Sequence, residues 1–299
     1  MANNSEKPVE TASTPEALRE EFNREVPSEI ASVIGNSDFI ARSSTEYSSG
    51  LFRRCANEFG FHEMDQFKNG KLSEFGKFVA EMAKGKDVID LGCGNYKGVS
   101  MFAKQFGARR YIGVDQEFNV IHNQSHLPYV GEEDLPDEFK IFKQDNFFGG
   151  ANYVRTKGLG SVGIGHDKKS PAYFVNDDIL GFLAKIPGLC GAVFVMGGIQ
   201  LSSRGRRLTS QERKTEKNYY DYLSGELARL AQDGDLVMTS GADYGLKECL
   251  KKSGFVEYPF PNFLDNYSVF LKCDTNSTLC KTIRSKLEQL GLGSVESDL

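Results

Sequence analysis

Two aspartates and two glycines in the first half of the chain have the types and spacing needed to hold a small ligand. The segment VIDLGCGNYKG, residues 88–98, places Asp90 just before Gly92 and Gly94. Glycine permits a sharp turn and a close approach of ligand to backbone because it has no Cβ atom. A second segment, YIGVDQ, carries Asp115 at its end, where a carboxylate can accept hydrogen bonds from ribose hydroxyls. The spacing predicts a nucleoside-binding strand–helix–strand unit.

Apolar runs that alternate with amphipathic stretches must position these residues. Such alternation predicts a parallel sheet with helices on both faces. Two last strands, at 255–257 and 267–272, are predicted to pair antiparallel. Residues 116–171 are rich in glycine and charge and interrupt the alternation, so they are interpreted as an insertion in which FKIFKQDNFF is a candidate extra strand. The other predicted strands are 87–91, 110–114, 172–175, 192–196 and 236–239, and the predicted helices between them are 99–106, 179–185, 212–231 and 244–253.

The flanking segments differ from this central pattern. Residues 1–14 are polar and are predicted to be a disordered tail. Residues 15–70 are predicted to be a helical N-terminal extension that could form a lid, with one helix at 28–34 ending at Gly35. The main domain, which carries the two aspartates and two glycines, is expected at 71–273, with its insertion at about 116–171, and a C-terminal helix and tail at 274–299.

DLGCG followed by a strand that ends in VD resembles motifs I and II of the class I S-adenosylmethionine-dependent methyltransferases, a Rossmann-like family. The resemblance implies an α/β fold with a seven-stranded, mostly parallel doubly wound sheet, and S-adenosylmethionine as cofactor. It also implies roles for single residues. Gly92 and Gly94 would hold the amino-acid part of the donor, Asp90 would support the glycine loop, and Asp115 would hold the ribose. The predicted cofactor site also includes Cys93, Gln116 and Gly197.

An acidic residue after the third strand is implied to accept a hydrogen bond from the adenine amino group. In YFVNDDILGFL this role falls to Asp178, with Asp177 as its neighbour. A rival placement uses Asp145 in KIFKQDNF. The chain from Asp145 to the strand AVFVM is too long for one ordinary helix, whereas the distance from Asp178 is suitable, so Asp178 is favoured.

Two other functions stay open on the same residues. A dinucleotide-dependent oxidoreductase usually carries Gly-x-Gly-x-x-Gly, but here Lys97 occupies the third glycine position and Gly98 follows one later. The Tyr-x-x-x-Lys pattern is also missing after Tyr219 and Tyr220. The second alternative is a protein that binds S-adenosylmethionine or another nucleoside without turnover.

The fourth predicted strand ends in MGGIQ and lacks the Asp/Asn-Pro-Pro-Tyr/Phe pattern of enzymes that methylate exocyclic amines of DNA bases. The expected acceptor is a small molecule or a peptide. Methyl transfer is an in-line displacement that depends mainly on positioning, so no catalytic residue is assigned. Side chains considered as a base, an anion clamp or a lid are also explained by surface exposure or core packing; they are His122, His126, Tyr219, Tyr220, Arg204, Arg206, Arg207, Tyr47 and Phe52.

The composition of the chain indicates which kinds of partner and which cellular location to expect. The formal net charge of -5 argues against a nucleic-acid partner. No apolar run of about 18 residues predicts a membrane span, and the N-terminus lacks the features of a secretory signal. The six cysteines are scattered without a Cys-x-x-Cys pair, so no metal site and no disulfide framework are expected. This pattern favours a cytoplasmic location.

Overall fold

The computed structural model describes residues 20–39, 73–93, 107–116, 152–156, 160–165, 172–189, 191–197, 208–240, 244–260, 268–274 and 276–293. Within these ranges the chain forms one nine-stranded sheet with helices on both of its faces. The strands are β1 (Asp87–Leu91), β2 (Arg110–Asp115), β3 (Asn152–Thr156), β4 (Gly160–Gly165), β5 (Ala172–Asn176), β6 (Ala192–Gly197), β7 (Leu236–Ser240), β8 (Phe255–Pro259) and β9 (Ser268–Lys272).

The sheet order is β3-β4-β5-β2-β1-β6-β7-β9-β8. The five strands from β5 to β7 are parallel, and when they are numbered along the chain their order is that of a doubly wound sheet, 3-2-1-4-5. The α/β class is therefore confirmed, and so is the antiparallel pairing of β8 with β9.

Two details of the predicted sheet are corrected. The sheet has nine strands instead of seven, because the insertion supplies the antiparallel hairpin β3–β4. Strand β4 of this hairpin pairs antiparallel with β5 and so extends the sheet. The sheet is also mixed instead of mostly parallel, since four of its eight strand pairings are antiparallel. The FKIFKQDNFF segment lies outside the described residues.

Two hydrophobic clusters cover the two faces of the sheet. Side chains of the strands alternate between the faces, so Ile89 and Leu91 enter one cluster while Val88 enters the other. The first face is covered by α1 (Ser28–Gly35), α3 (Ile179–Lys185), α4 (Ser210–Leu230) and α5 (Tyr244–Lys252). The second face is covered by α2 (Glu74–Ala83) and α6 (Thr278–Gln289).

The N-terminal extension is packed into this core where the structure describes it. Phe22 and Ile30 are buried in the first cluster, and the Phe22 ring meets Phe182 of α3 edge-on at 5.6 Å. Residues 40–72, which include the lid candidates Tyr47 and Phe52, lie outside the described part. Of the described helices, none is both long and apolar enough to cross a membrane.

A buried ion cluster fixes the amino-terminal ends of β1 and β2. The Asp87 carboxylate, fully buried, accepts hydrogen bonds from Arg109 and from Arg110. Arg110 also donates to both carboxylate oxygens of Glu21, at 2.7 and 2.6 Å, which ties the N-terminal extension to the sheet. Each buried charge at this end of β1 therefore has an opposite charge beside it.

Candidate functional site

The carboxyl ends of the central strands meet at one edge of the sheet. Leu91 pairs with Val114 of β2 on one side and with Met196 of β6 on the other. The residues that come next, Gly92, Asp115 and Gly197, therefore lie at the same level. The winding direction reverses between β1 and β6, and ligands of doubly wound sheets bind outside the carboxyl ends at such a switch point.

The turn after β1 depends on Gly92. Its φ of 74° lies in the left-handed region, which side chains other than glycine rarely adopt. The N–H groups of Gly92 and Cys93 both donate to the Val114 carbonyl, at 2.8 and 3.1 Å. The start of the loop is thus pinned to β2 beside Asp115, while Gly94 lies outside the described residues.

Asp90 is fully buried on the second face of the sheet, next to this turn. Its Oδ2 accepts a hydrogen bond from the Tyr111 hydroxyl at 2.9 Å, whereas Oδ1 has no hydrogen-bond partner among the described residues. Burial raises the pKa of Asp90 to about 7; the Tyr111 hydrogen bond lowers it and the nearby Asp115 charge raises it. Such a carboxyl group can change its charge near neutral pH.

Gly113 makes the Tyr111–Asp90 contact possible. Tyr111 and Gly113 lie on the same face of β2, and a Cβ atom at Gly113 would come within 2.8 Å of the Tyr111 hydroxyl and 3.1 Å of the Cys93 sulfur. Sequence reasoning missed both residues. The sequence did carry a signal for them. Side chains two residues apart on a strand point to the same face, so in YIG the tyrosine and the glycine share a face, and the glycine leaves room for the ring along the strand.

Cys93 is a packing residue in this arrangement. Its side chain is fully buried, and burial together with the Asp90 and Asp115 charges raises the pKa of its thiol well above the ordinary value. A thiol of this kind stays protonated and is a poor nucleophile. Cys93 therefore shapes the base of the turn.

Asp115 is the last residue of β2 and is fully buried. Its carbonyl accepts a hydrogen bond from the Asp177 N–H at 3.1 Å, which joins the ends of β2 and β5. Gln116, the next residue, is exposed. The structure thus brings Asp115 together with Gly92 and Asp90, as the spacing predicted.

Asp178 and Asp177 both have structural contacts. Asp178 is the N-cap of α3, and its Oδ1 accepts from the N–H groups of Leu180 at 2.9 Å and Gly181 at 3.1 Å. Asp177 forms an ion pair with Lys185 at 2.5 Å. These contacts hold the loop after β5, and the predicted adenine contact of Asp178 stays a prediction. The rival, Asp145, lies outside the described residues.

The other candidate residues are either buried in the core or lie outside the described part of the chain. Tyr219 and Tyr220 are buried in the first cluster, which agrees with core packing, and the Tyr219 hydroxyl lies 3.4 Å from Asp178 Oδ1. The remaining candidates fall outside the described residues; they are His122, His126, Arg204, Arg206 and Arg207.

Comparison with known proteins gives matches only among solved structures. No family profile and no curated protein sequence matches the chain. A ribosomal protein L11 methylase from Lactobacillus delbrueckii subsp. bulgaricus is 12% identical, with a TM-score of 0.35, and the match covers 67% of this chain and 77% of that chain. A Streptococcus mutans protein described as a putative methyltransferase in complex with SAH is 13% identical, with a TM-score of 0.35 and coverages of 67% and 96%.

A third similar structure is a mutant form of the 16S rRNA (adenine(1408)-N(1))-methyltransferase from Catenulisporales acidiphilia. It is 11% identical, with a TM-score of 0.34, and the match covers 69% of this chain and 96% of that chain. These identities and TM-scores are low, and the strand order and the buried carboxylates at the switch point are observed independently of them.

Proposed function

We propose that the protein is an S-adenosylmethionine-dependent methyltransferase that acts on a small-molecule or peptide acceptor. The donor would bind at the switch point, with its ribose on Asp115 and its amino-acid part over Gly92 and Gly94. The Asp90 carboxyl group would support this loop, and Asp178, with Asp177 beside it, would contact the adenine. Residues 71–273 would form the donor-binding domain.

The observation that carries the proposal is the charge environment of Asp90. At the opposite edge of the sheet, buried carboxylates are paired with cations: Asp87 with two arginines and Asp235 with Lys86 at 2.7 Å. Asp90 instead has a single neutral hydrogen-bond donor among the described residues. A buried carboxylate of this kind is costly unless a cation completes its environment.

S-adenosylmethionine fits this requirement because its methionine end carries an ammonium group and a sulfonium against one carboxylate, and so has a net positive charge. A dinucleotide would instead bring its anionic pyrophosphate to the turn beside two aspartates, which is electrostatically unfavourable. The sheet also departs from the dinucleotide-binding order 3-2-1-4-5-6, because the antiparallel β9 follows β7 in place of a sixth parallel strand. Both features favour the methyl donor over NAD.

The donor site is tested by calorimetric titration with S-adenosylmethionine, S-adenosylhomocysteine and NAD. We expect micromolar binding of the first two and a loss of at least tenfold in affinity in Asp115→Ala, because the ribose hydroxyls lose their acceptor. Asp221→Asn, at an exposed position of α4 where the carboxylate contacts the Cys249 thiol, is the matched control and should bind like the wild type. Binding of NAD alone, or equal affinity in Asp115→Ala, would overturn the donor assignment.

The acceptor class needs a separate experiment. Methyl transfer from labelled donor to pools of small molecules, peptides and RNA separates the classes, and the proposal expects label in the first two pools. The net charge of -5 supports this expectation, since RNA-binding proteins usually carry a basic excess. Label in the RNA pool alone would refute the acceptor class while leaving the donor site intact.

A further inference from the structure

A cluster of two cysteines and one aspartate lies at the edge of the sheet opposite the donor site. Cys273 follows β9, Cys280 lies in the first turn of α6, and Asp233 belongs to the turn before β7. Their Sγ and carboxylate oxygen atoms all lie within 4.8 Å of one another. Because β9 runs antiparallel to β7, its carboxyl end lies at the amino-terminal end of β7, away from Gly92 and Asp115.

We propose that Asp233, Cys273 and Cys280 bind a zinc ion that fastens α6 to the sheet. Zinc prefers thiolate and carboxylate ligands in a tetrahedral arrangement, and Zn–S bonds of about 2.3 Å imply a separation of roughly 3.8 Å between two sulfur ligands. The cluster already holds its three ligand atoms within 4.8 Å of one another, with Cys280 Sγ 2.9 Å from Asp233 Oδ1. The exposed position of Asp233 leaves the fourth position open to water.

Backbone contacts fix the three ligand-bearing segments before any ion binds. The Gly234 N–H donates to the Lys272 carbonyl at 2.9 Å, and the Asp274 N–H donates to Asp233 Oδ1 at 2.6 Å. Ser277 caps α6 by accepting from the Cys280 N–H at 3.3 Å. Ligands held in this way lose little conformational freedom when they bind an ion.

The charges around the cluster also suit a divalent cation. Once zinc displaces the thiol protons, two thiolates and a carboxylate would carry three negative charges, and Arg284, one turn after Cys280, interacts electrostatically with both cysteines. One arginine and one Zn²⁺ together balance those three charges. The buried Nε of Arg284 has no hydrogen-bond partner within the described part of the chain, so its N–H is available to a metal-bound sulfur.

Cys249 provides a matched control in the same protein. Its thiol lies 3.1 Å from Asp221 Oδ1, much as Cys280 lies 2.9 Å from Asp233 Oδ1. Within the described residues no third metal-ligating side chain joins the Cys249 pair, whereas Cys273 joins the other. A Cys–Asp contact alone is therefore present at both places, and the second thiol distinguishes them.

The test is titration of the full chain, reduced and freed of metal by a chelator, with Zn²⁺ and with Co²⁺ as a spectroscopic probe. We expect one Zn²⁺ to bind, release of thiol protons, and a thiolate-to-cobalt charge-transfer band. Cys273→Ser changes a half-buried residue and should weaken Zn²⁺ binding at least tenfold and abolish the band. Cys249→Ser should leave both unchanged.

Two results would overturn the zinc site. One is an equal Zn²⁺ affinity in the wild type and in Cys273→Ser, which would place any bound ion elsewhere. The other is a Cys273–Cys280 disulfide found by mass spectrometry in the purified protein, together with no Zn²⁺ binding after reduction. Neither result bears on the donor site, because these residues lie at the opposite edge of the sheet.

Discussion

Replacing Asp90 with asparagine should stabilise the unliganded protein above neutral pH and weaken its binding of S-adenosylmethionine. The side chain is fully buried, and its pKa is raised to about 7, mainly by desolvation. Asparagine has nearly the same shape and can still accept the Tyr111 hydrogen bond through Oδ1. The substitution therefore removes the buried charge and leaves the packing almost unchanged.

The magnitude follows from the two pKa values of Asp90. An unfolded aspartate has a pKa of about 3.9, so the folded state holds its proton more tightly, and stability falls as the pH rises from about 4 to about 7. The difference of about three pH units, at about 1.36 kcal/mol each, corresponds to up to about 4 kcal/mol above pH 7. Asp90→Asn should recover most of this at pH 8 and about 1.5 kcal/mol at pH 5.

Urea unfolding at pH 8 and pH 5 measures both values, and calorimetry at pH 8 measures donor binding. We expect affinity for S-adenosylmethionine to fall at least tenfold, because the negative charge beside its cationic end is lost. Asp235→Asn is a control for which the opposite change in the free energy of unfolding is expected. This buried carboxylate pairs with Lys86, so its loss should destabilise the fold by about 2 kcal/mol. A gain for Asp90→Asn that is the same at both pH values would refute the desolvation argument.

Two further substitutions test packing around β1 and β2. Gly113→Ala should cost about 1–3 kcal/mol, because its Cβ would lie 2.8 Å from the buried Tyr111 hydroxyl, and thermal unfolding against Gly188→Ala, where a Cβ meets nothing within 4 Å, checks this. Asp87→Asn should cost about 3–5 kcal/mol, because the buried Arg110 loses its buried anionic partner and keeps only the half-buried Glu21. Urea unfolding that shows no loss for Asp87→Asn would contradict the interpretation of the ion cluster.

The parallel core of the sheet was predictable because its strands are continuous apolar runs separated by helices of ordinary length. Predicted helices at 28–34 and 179–185 agree with α1 and α3 to within one residue. The hairpin β3–β4 was not predicted. Its strands, NYVRT and GSVGIG, contain glycine and charge, and they pair at the edge of the sheet through backbone groups that leave no apolar signal.

The candidate site was predictable only where short segments of sequence, VIDLGCGNYKG and YIGVDQ, carried the signal. Gly92 and Asp115 stand in fixed positions relative to their strands, so their meeting at one edge follows from parallel pairing. Neither the helix-capping role of Asp178 nor the cluster of Asp233, Cys273 and Cys280 could be predicted from one segment of sequence. Cys273 and Cys280 are separated by the turn into α6, and Asp233 lies 40 residues before Cys273, so only the antiparallel packing of β9 against β7 brings them together.

Tyr111, Gly113 and Asp90 show why a costly carboxylate can persist at the switch point. A buried tyrosine hydroxyl needs an acceptor and a buried carboxylate needs donors, so each partly satisfies the other, and Gly113 leaves room for the ring. The arrangement still leaves Oδ1 of Asp90 without a partner among the described residues. The stability of the unliganded fold would favour asparagine at this position, because an amide has nearly the same shape and carries no charge to desolvate. A carboxylate at this position, with a cost of up to about 4 kcal/mol above pH 7, fits the proposed binding of a ligand that uses its charge.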